Sequence, residues 1–416
     1  MSLPLLGAGM ATDGPSAVLD LNFASLLSLT PSVGPTPSYT RASTGTYFNS
    51  SGVLTTAAIN GPRFDHVYNG SSWESKGLLI EEARTNAVLY SADFTSGWTS
   101  SNVGMSTGAG TAPDGTSTAV KLYPTVSTTQ TRIYLSGGAN TCISVFAKAA
   151  EKTTVYFYDL TGISECYFNL STGAIGTNST GLTAAISNCG GGWFRCSLSS
   201  ASIFSYFQIG VCEANGSTSS TASGTNGILI WGAQWEIGAF PTSYIPTTTA
   251  AVTRSADVCQ ITGGDFSGFW NASEGSIAFD GDYLGPDSTV IRYTFGVSNT
   301  SSPSNSFIGS ATNRMTSGNY STIMYNNGSL EFQLDTGTNP SSGSRIALGL
   351  AFKQNDFAIS RDGGSPVIDS TGSIPTINAM AIGSLYAFNG YMNGHIARLR
   401  YYNTRLINSQ LVALST

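Results

Sequence analysis

Apolar residues along this chain come in short packets separated by Gly, Ser, Thr and Asn, with no sustained period of 3.6. Packets of about four to eight residues that alternate or run continuously apolar, each bounded by turn formers, read as β-strands. Between residues 87 and 248 the pattern predicts strands over 119–123, 142–147, 154–158, 166–170, 193–198, 206–211 and 228–231. That many strands without an intervening helix make a sandwich, here expected to be a jelly roll. The pattern restarts after residue 249, with strands over 275–279, 290–295, 321–325 and 329–334. Asn327-Gly328 is a two-residue hairpin signal needing positive φ, and Asp362-Gly363 predicts a second hairpin between 357–360 and 366–368. Near the end, 394–403 reads as a closing strand, followed by a short helix with Asn408 as its cap and Leu411 and Leu414 on its buried side.

Length and composition agree with this texture. A chain of 416 residues with 41% hydrophobic residues and 48 glycines suits two or three β-rich cores. The fold class expected is all-β: two consecutive antiparallel sandwiches, 87–248 and 249–416, preceded by an N-terminal arm (1–40) and a charged junction (41–86). Residues 1–40 hold Gly, Pro and Ser clusters around one apolar patch, 17–23, too little for a core of their own, which predicts an arm that orders against another protein.

Charge is scarce, at 10% of residues with a net charge of −6, and no run of Lys or Arg offers a footprint for phosphate backbones. Nucleic acid is therefore not an expected partner. The apolar start is too short to span a bilayer, and the first basic residue is Arg41, so the positive region of a signal peptide is missing. Cytosolic synthesis is the expectation, and with it six reduced, buried cysteines (142, 166, 189, 196, 212 and 259), none at the spacing of a metal site.

Against that low background, Arg41-Ala-Ser-Thr-Gly-Thr-Tyr47, Pro62-Arg63-Phe64-Asp65-His66 and Gly77-Leu-Leu-Ile-Glu-Glu-Ala-Arg84-Thr-Asn86 stand out. Gly77-Leu-Leu-Ile80 has the character of a short buried strand, and Glu81, Glu82 and Arg84 just after it can pair with Arg41 or Arg63, which predicts a structural clamp. With Gly52-Val-Leu54 and Tyr47, the segment resembles the opening of bacteriophage virion fibre and tail proteins. The likeness continues at Gly192-Trp-Phe-Arg-Cys196, at Ile230-Trp-Gly-Ala-Gln-Trp-Glu236 and at Pro241-Thr-Ser-Tyr-Ile-Pro-Thr247, which are similar to late strands of a carbohydrate-binding-module-like domain. The final 394–414 segment resembles the close of concanavalin A-like (laminin G-like) lectin domains. The resemblance implies a non-enzymatic fibre, homotrimeric, attached to capsid or tail proteins through its N-terminal arm, located in the virion and adsorbing to host-surface polysaccharide.

Candidate chemistry is thin. His66 and His395 lie in no recognisable catalytic motif, and packing or surface roles are expected for both. Glycoside hydrolysis needs two carboxylates across the scissile bond. Glu81 and Glu82 are adjacent and point apart, while Asp280 and Asp282 share a face beside a Gly-rich turn. Calcium is conceivable at Asp280 and Asp282, but that ion takes about six to eight oxygens, so two acids do not make a site. Sugar binding needs exposed aromatic faces with a few polar groups. Trp98, Trp270, Tyr320, Tyr325, Tyr386 and Tyr391 lie near turns and are the glycan-binding candidates, whereas Trp193 and Trp231 are expected in the core. A tailspike-type depolymerase would show a strand ladder at fixed period, which is not seen. A secreted lectin or adhesin would begin with an export signal.

Overall fold

The computed structural model describes residues 16–128, 130–159, 164–285, 290–313, 318–387 and 390–416. It is all-β, built from antiparallel pairings that form two sandwiches. The predicted strands are present, although 193–198 and 206–211 are parts of one long strand, Trp193–Cys212. Both hairpins form as expected. Asn327 (φ 49°) and Gly328 (φ 85°) turn the chain between Asn319–Asn326 and Ser329–Thr338, and Asp356–Arg361 pairs with Val367–Asp369.

The larger sandwich is discontinuous in sequence. One layer runs in the order Val367–Asp369, Asp356–Arg361, Arg345–Lys353, Glu274–Tyr283, Gly394–Tyr402, Trp73–Ile80 and Phe64–Tyr68. The facing layer runs Ser38–Thr40, Val258–Thr262, Ala379–Ile382, Arg292–Ser298, Phe307–Thr312, Asn319–Asn326 and Ser329–Thr338. Strand Gly394–Tyr402 explains the arrangement. One side of it pairs with Glu274–Tyr283, and its other side is completed by two short N-terminal strands, Leu19–Leu21 against residues 399–401 and Trp73–Ile80 against 394–396. A bare edge there would leave peptide groups without partners and a template for aggregation. Leu19, Leu21, Phe23, Leu78 and Ile80 accordingly enter the same core as Phe279, Phe295, Leu348, Met380 and Leu399.

Two expectations are corrected by this pairing. Residues 16–40 are not a free arm but an integral part of the C-terminal sandwich, and strands within 41–86 belong to it as well; residues 1–15 lie outside the described residues. The sandwiches are therefore not consecutive but nested, the smaller inserted between Asn86 and Val252. The physical reason is pairing across more than 300 residues, which hydrophobic periodicity does not carry.

The inserted sandwich is organised by two long strands, Arg132–Ala149 and Trp193–Cys212, which pair with each other along most of their length with irregularities between Ser136 and Cys142. One half of each is flanked by Thr99–Ser101 and Thr154–Asp159, the other by Ile228–Glu236 and Leu182–Asn188, so one sheet folds into two layers over Val145, Phe157, Phe168, Leu198, Ile209 and Trp235. Trp193 and Trp231 are buried in a neighbouring cluster, as expected. The six cysteines are all buried and unpaired, in line with the reduced reading. The C-terminal helix spans Asn408–Leu414 and buries Leu411, but its cap residue is Ile407 and not Asn408: the Gln410 side chain reaches back to accept from the Ile407 N–H at 3.1 Å. No described helix is long and apolar enough to cross a membrane.

Candidate functional site

Where the two sandwiches meet, the charged motif closes into a clamp. Arg41, Arg63 and Arg254 converge on Glu81 and Asp257, and all five side chains are at most 1% exposed. Arg63 holds Glu81 at 2.7 Å and also Asp257, Arg41 reaches Asp257 at 3.1 Å, and Arg254 lies 3.4 Å from Glu81 and 3.9 Å from Asp257. The remaining lone pairs are filled: Asp257 accepts from Tyr39 Oη and the Glu81 N–H, and Glu81 accepts from the Ser243 N–H and Oγ, both at 2.7 Å. Burial alone would raise the Glu81 carboxyl, but Arg254 and Arg63 hold it far below the usual carboxylate range. The arginines respond in opposite directions. Burial lowers Arg254, whose contacts are long, whereas Asp257 and Glu81, in close contact, overcome burial at Arg63 and raise it.

A second tier extends the clamp to the inserted sandwich. Arg84 pairs with Glu82 and lies 3.8 Å from Glu236, Arg292 reaches Glu82 at 3.3 Å, and both guanidiniums sit on the Phe240 ring, at 5.5 and 5.2 Å. Asn86 donates to the carbonyls of Ala233 and Ile245 and accepts from the N–H groups of Val88 and Trp235. The predicted clamp is thus present, with Arg63–Glu81 formed as expected, Arg41 on Asp257 instead, and Glu82 taken by Arg84 and Arg292. With its charges enclosed and partnered it fixes domain geometry, and it offers no surface to a ligand.

Beside the clamp lies a cavity of about 370 Å³, at the small end of the roughly 300–1,000 Å³ usual for ligand sites. Its wall on the larger sandwich comes from hairpin Phe64–Tyr68/Trp73–Ile80, which presents Asp65, His66, Tyr68 and Trp73, and from the end of strand Gly45–Phe48, which presents Phe48. Its other wall is the face of Leu182–Asn188 and Trp193–Cys212, where Thr183, Ala185, Ser187, Ser197 and Ser199 are small enough to leave a hollow. Trp73 and Tyr68 are cross-strand partners with rings 5.5 Å apart, and Trp73 lies 4.9 Å from Phe48. Phe48 meets Phe146 edge-on at 6.4 Å, and the Arg195 guanidinium stands 5.4 Å over Phe146. A continuous aromatic ladder therefore descends from half-buried Tyr68 and Trp73 to a cation at the floor. Gly52 makes room for it. In its left-handed turn (φ 76°) any Cβ would fall 2.1 Å from the Trp73 indole nitrogen.

His395 sits at the back of the cavity, 2% exposed, its Nδ1 2.7 Å from Asp282 and its Nε2 3.0 Å from Asp65. Burial would depress the imidazole, but Asp282 and then Asp65 push it up to about 10, so it is an imidazolium at neutral pH and both nitrogens donate. Asp65 also accepts from the Phe48 N–H at 2.7 Å, which ties the triad to the ladder. Arg195 differs. It donates to the Thr242 carbonyl at 2.7 Å and to Ser144 Oγ at 3.0 Å, both neutral, and among the described residues no carboxylate pairs with it.

The sequence-predicted aromatic candidates fall elsewhere. Trp98 packs between Phe94 and Phe207, and Tyr320 is fully buried with its hydroxyl 2.8 Å from Thr294 Oγ1, so neither ring is free to stack on a sugar. Trp270 is stacked on Tyr401, Phe266 and Phe352, and Tyr325 lies flat on Phe307. Tyr386 and Tyr391 share a separate shallow hollow beside Leu385. Asp280 is held by Arg345 at 2.8 and 2.9 Å and Asp282 by His395, and among the described residues no group of three or more His, Cys, Asp or Glu is placed to hold a metal ion. His66 is buried, its Nδ1 3.2 Å from the Phe48 carbonyl. Sequence reading passed over Tyr68 and Trp73, which flank the turn Asn69-Gly-Ser-Ser72 and satisfy the aromatic-beside-a-turn rule used to choose the others.

No protein-family model matches this chain, and no curated protein matches it. Among solved structures, the carbohydrate-binding module CBM40 of the Ruminococcus gnavus IT-sialidase is similar at 14% identity over 35% of this chain and 84% of that one, with a TM-score of 0.30. Domain 4 of AbnA, an extracellular arabinanase from Geobacillus stearothermophilus solved with arabinotriose, is 15% identical over 42% and 82%, also at 0.30. The NanB sialidase from Streptococcus pneumoniae, as a K499G mutant, is 14% identical over 38% of this chain and 26% of its own, again at 0.30. Likeness at this level carries no argument about ligand or activity.

Proposed function

We propose that this chain is a non-enzymatic sugar-binding protein of a bacteriophage virion, and that the cavity between its sandwiches takes a glycan of the host surface. The observation that carries the binding reading is the ladder Tyr68, Trp73, Phe48 and Phe146 along a hollow whose opposite wall is Ser, Thr and Ala. Sugars are amphipathic: their C–H faces stack on aromatic rings and their hydroxyls take hydrogen bonds from small polar groups. The clamp supports the same reading, because both walls are held by buried ion pairs and the site is formed before the ligand arrives. The virion setting rests on the sequence resemblance at 41–86 and 192–247, and the homotrimer and the capsid or tail partners are part of that proposal.

The non-enzymatic reading is supported by the state of the acids at the cavity: Glu81 is bound by Arg63 and Arg254 within the clamp, and Asp65 and Asp282 are bound by His395. Both nitrogens of His395 face carboxylates, which leaves it no free lone pair to act as a base. Asp65 and Asp282 hold that same imidazolium, an arrangement unlike the opposed acid and base that glycoside cleavage requires. A glycan array probed with the full chain tests the proposal together with a sugar-release assay on the glycans it retains. Retention that is lost in Trp73→Ala, with no oligosaccharide released, is the expected result. Released sugar would overturn the non-enzymatic reading, and retention unchanged in Trp73→Ala would overturn the site.

A further inference from the structure

The floor of the cavity holds a charge the fold leaves uncompensated. Among the described residues, the arginines of the clamp and the histidine of the triad face carboxylates: Arg41, Arg63 and Arg254 face Asp257 or Glu81, Arg84 and Arg292 face Glu82, and His395 faces Asp65 and Asp282. Arg195 instead donates only to a carbonyl and a hydroxyl, using two of its N–H groups. A half-buried guanidinium with neutral partners attracts an anion more strongly than an exposed one, because little water screens it. Asp65, which also lines the cavity, shares the His395 imidazolium with Asp282, so the triad carries an excess of negative charge suited to accepting from hydroxyls.

Resting on the glycan-binding reading above, we infer that the preferred ligand is an anionic glycan, its carboxylate or phosphate directed at Arg195, its ring face on Trp73 and its hydroxyls toward Asp65. Arg195 and Asp65, both in the lining, then select direction as well as charge. A sugar entering reversed would place its anion against Asp65, and a neutral sugar would leave the guanidinium as it is in the empty protein. The nearby Phe146 ring keeps Arg195 in place without neutralising it.

The test is an array of acidic glycans printed beside their carboxyl-reduced and dephosphorylated counterparts, read with the full chain, Arg195→Gln, Arg195→Lys and Trp73→Ala. The inference expects hits among the acidic members and a loss of roughly tenfold or more when the anionic group is removed, the factor that about 1.4 kcal/mol represents. Arg195→Gln should erase the preference, while Arg195→Lys keeps part of it, which a purely structural role for Arg195 would not produce. Carboxyl-reduced and dephosphorylated arms separate a uronic-type acid from a phosphoglycan. Hits that survive removal of the anion, yet vanish in Trp73→Ala, would overturn the anionic preference and leave the sugar site standing. An array without hits, or with hits indifferent to Trp73→Ala, would overturn both.

Discussion

The clamp and the cavity lie side by side and are built from the same residue types, arginines, acids and aromatic rings, yet they serve opposite ends. In the clamp, each carboxylate is shared among two or three arginines and the remaining lone pairs are taken up by Tyr39, Ser243 and the Glu81 amide. In the cavity, aromatic faces are left half-bare and Arg195 is left without a carboxylate. What separates a structural ion cluster from a binding site is therefore whether each cation meets a carboxylate and not the presence of charge. Buried pairs contribute little net stability while intact but are costly to break, which suits a clamp whose task is to set geometry.

That contrast can be broken most severely at Asp257. Asp257→Ala leaves Arg41, Arg63 and Arg254 with Glu81 alone and should destabilise the chain by about 3–5 kcal/mol in urea unfolding, the range for a buried pair that loses one partner. A cost under about 1 kcal/mol would mean that the clamp is not what holds the sandwiches. Gly52→Ala sharpens the other side. Its Cβ falls on the Trp73 indole, so overpacking and positive φ together should cost about 1–3 kcal/mol and glycan retention should fall although no cavity-facing polar group is touched. Retention at the wild-type level in a folded Gly52→Ala protein would show that Trp73 is not the platform.

The triad predicts a pH dependence. The folded imidazole of His395 is raised from 6.5 to about 10, so its contribution is fully present below about pH 6.5 and is lost as pH rises toward 10. Thermal unfolding followed from pH 6 to 10 should show a decline that is smaller in His395→Gln; equal slopes would remove the triad from the account. The smallest effect is expected at the exposed pair Asp280–Arg345, where Asp280→Ala should change stability by less than about 1 kcal/mol.

Much of the fold was legible because strand periodicity and turn chemistry are local: Asn327-Gly328 and Asp362-Gly363 act within a few residues and form the hairpins they predict. The clamp was legible for a different reason. In a chain with so little charge, Glu81 and Glu82 beside an apolar strand had few partners other than nearby arginines, although Arg254 and Asp257 lay too far along the sequence to be drawn in. The nesting was not legible, since the pairing of Leu19–Leu21 with Gly394–Tyr402 is set by which edge needs covering. Nor was the site. Trp73 acquires its role from Gly52, Gly190 and the wall around Arg195, and the aromatics chosen instead, Trp98 and Tyr320 among them, are core rings that happen to lie near turns.

The decisive measurement is diffraction from crystals of the full chain soaked with the best-retained oligosaccharide. A sugar ring stacked on Trp73 between the two sandwiches, with the clamp unchanged from Arg41 to Asp257, is the expected result. A sugar seated in the Tyr386 and Tyr391 hollow, or anywhere else with Trp73 bare, would contradict it.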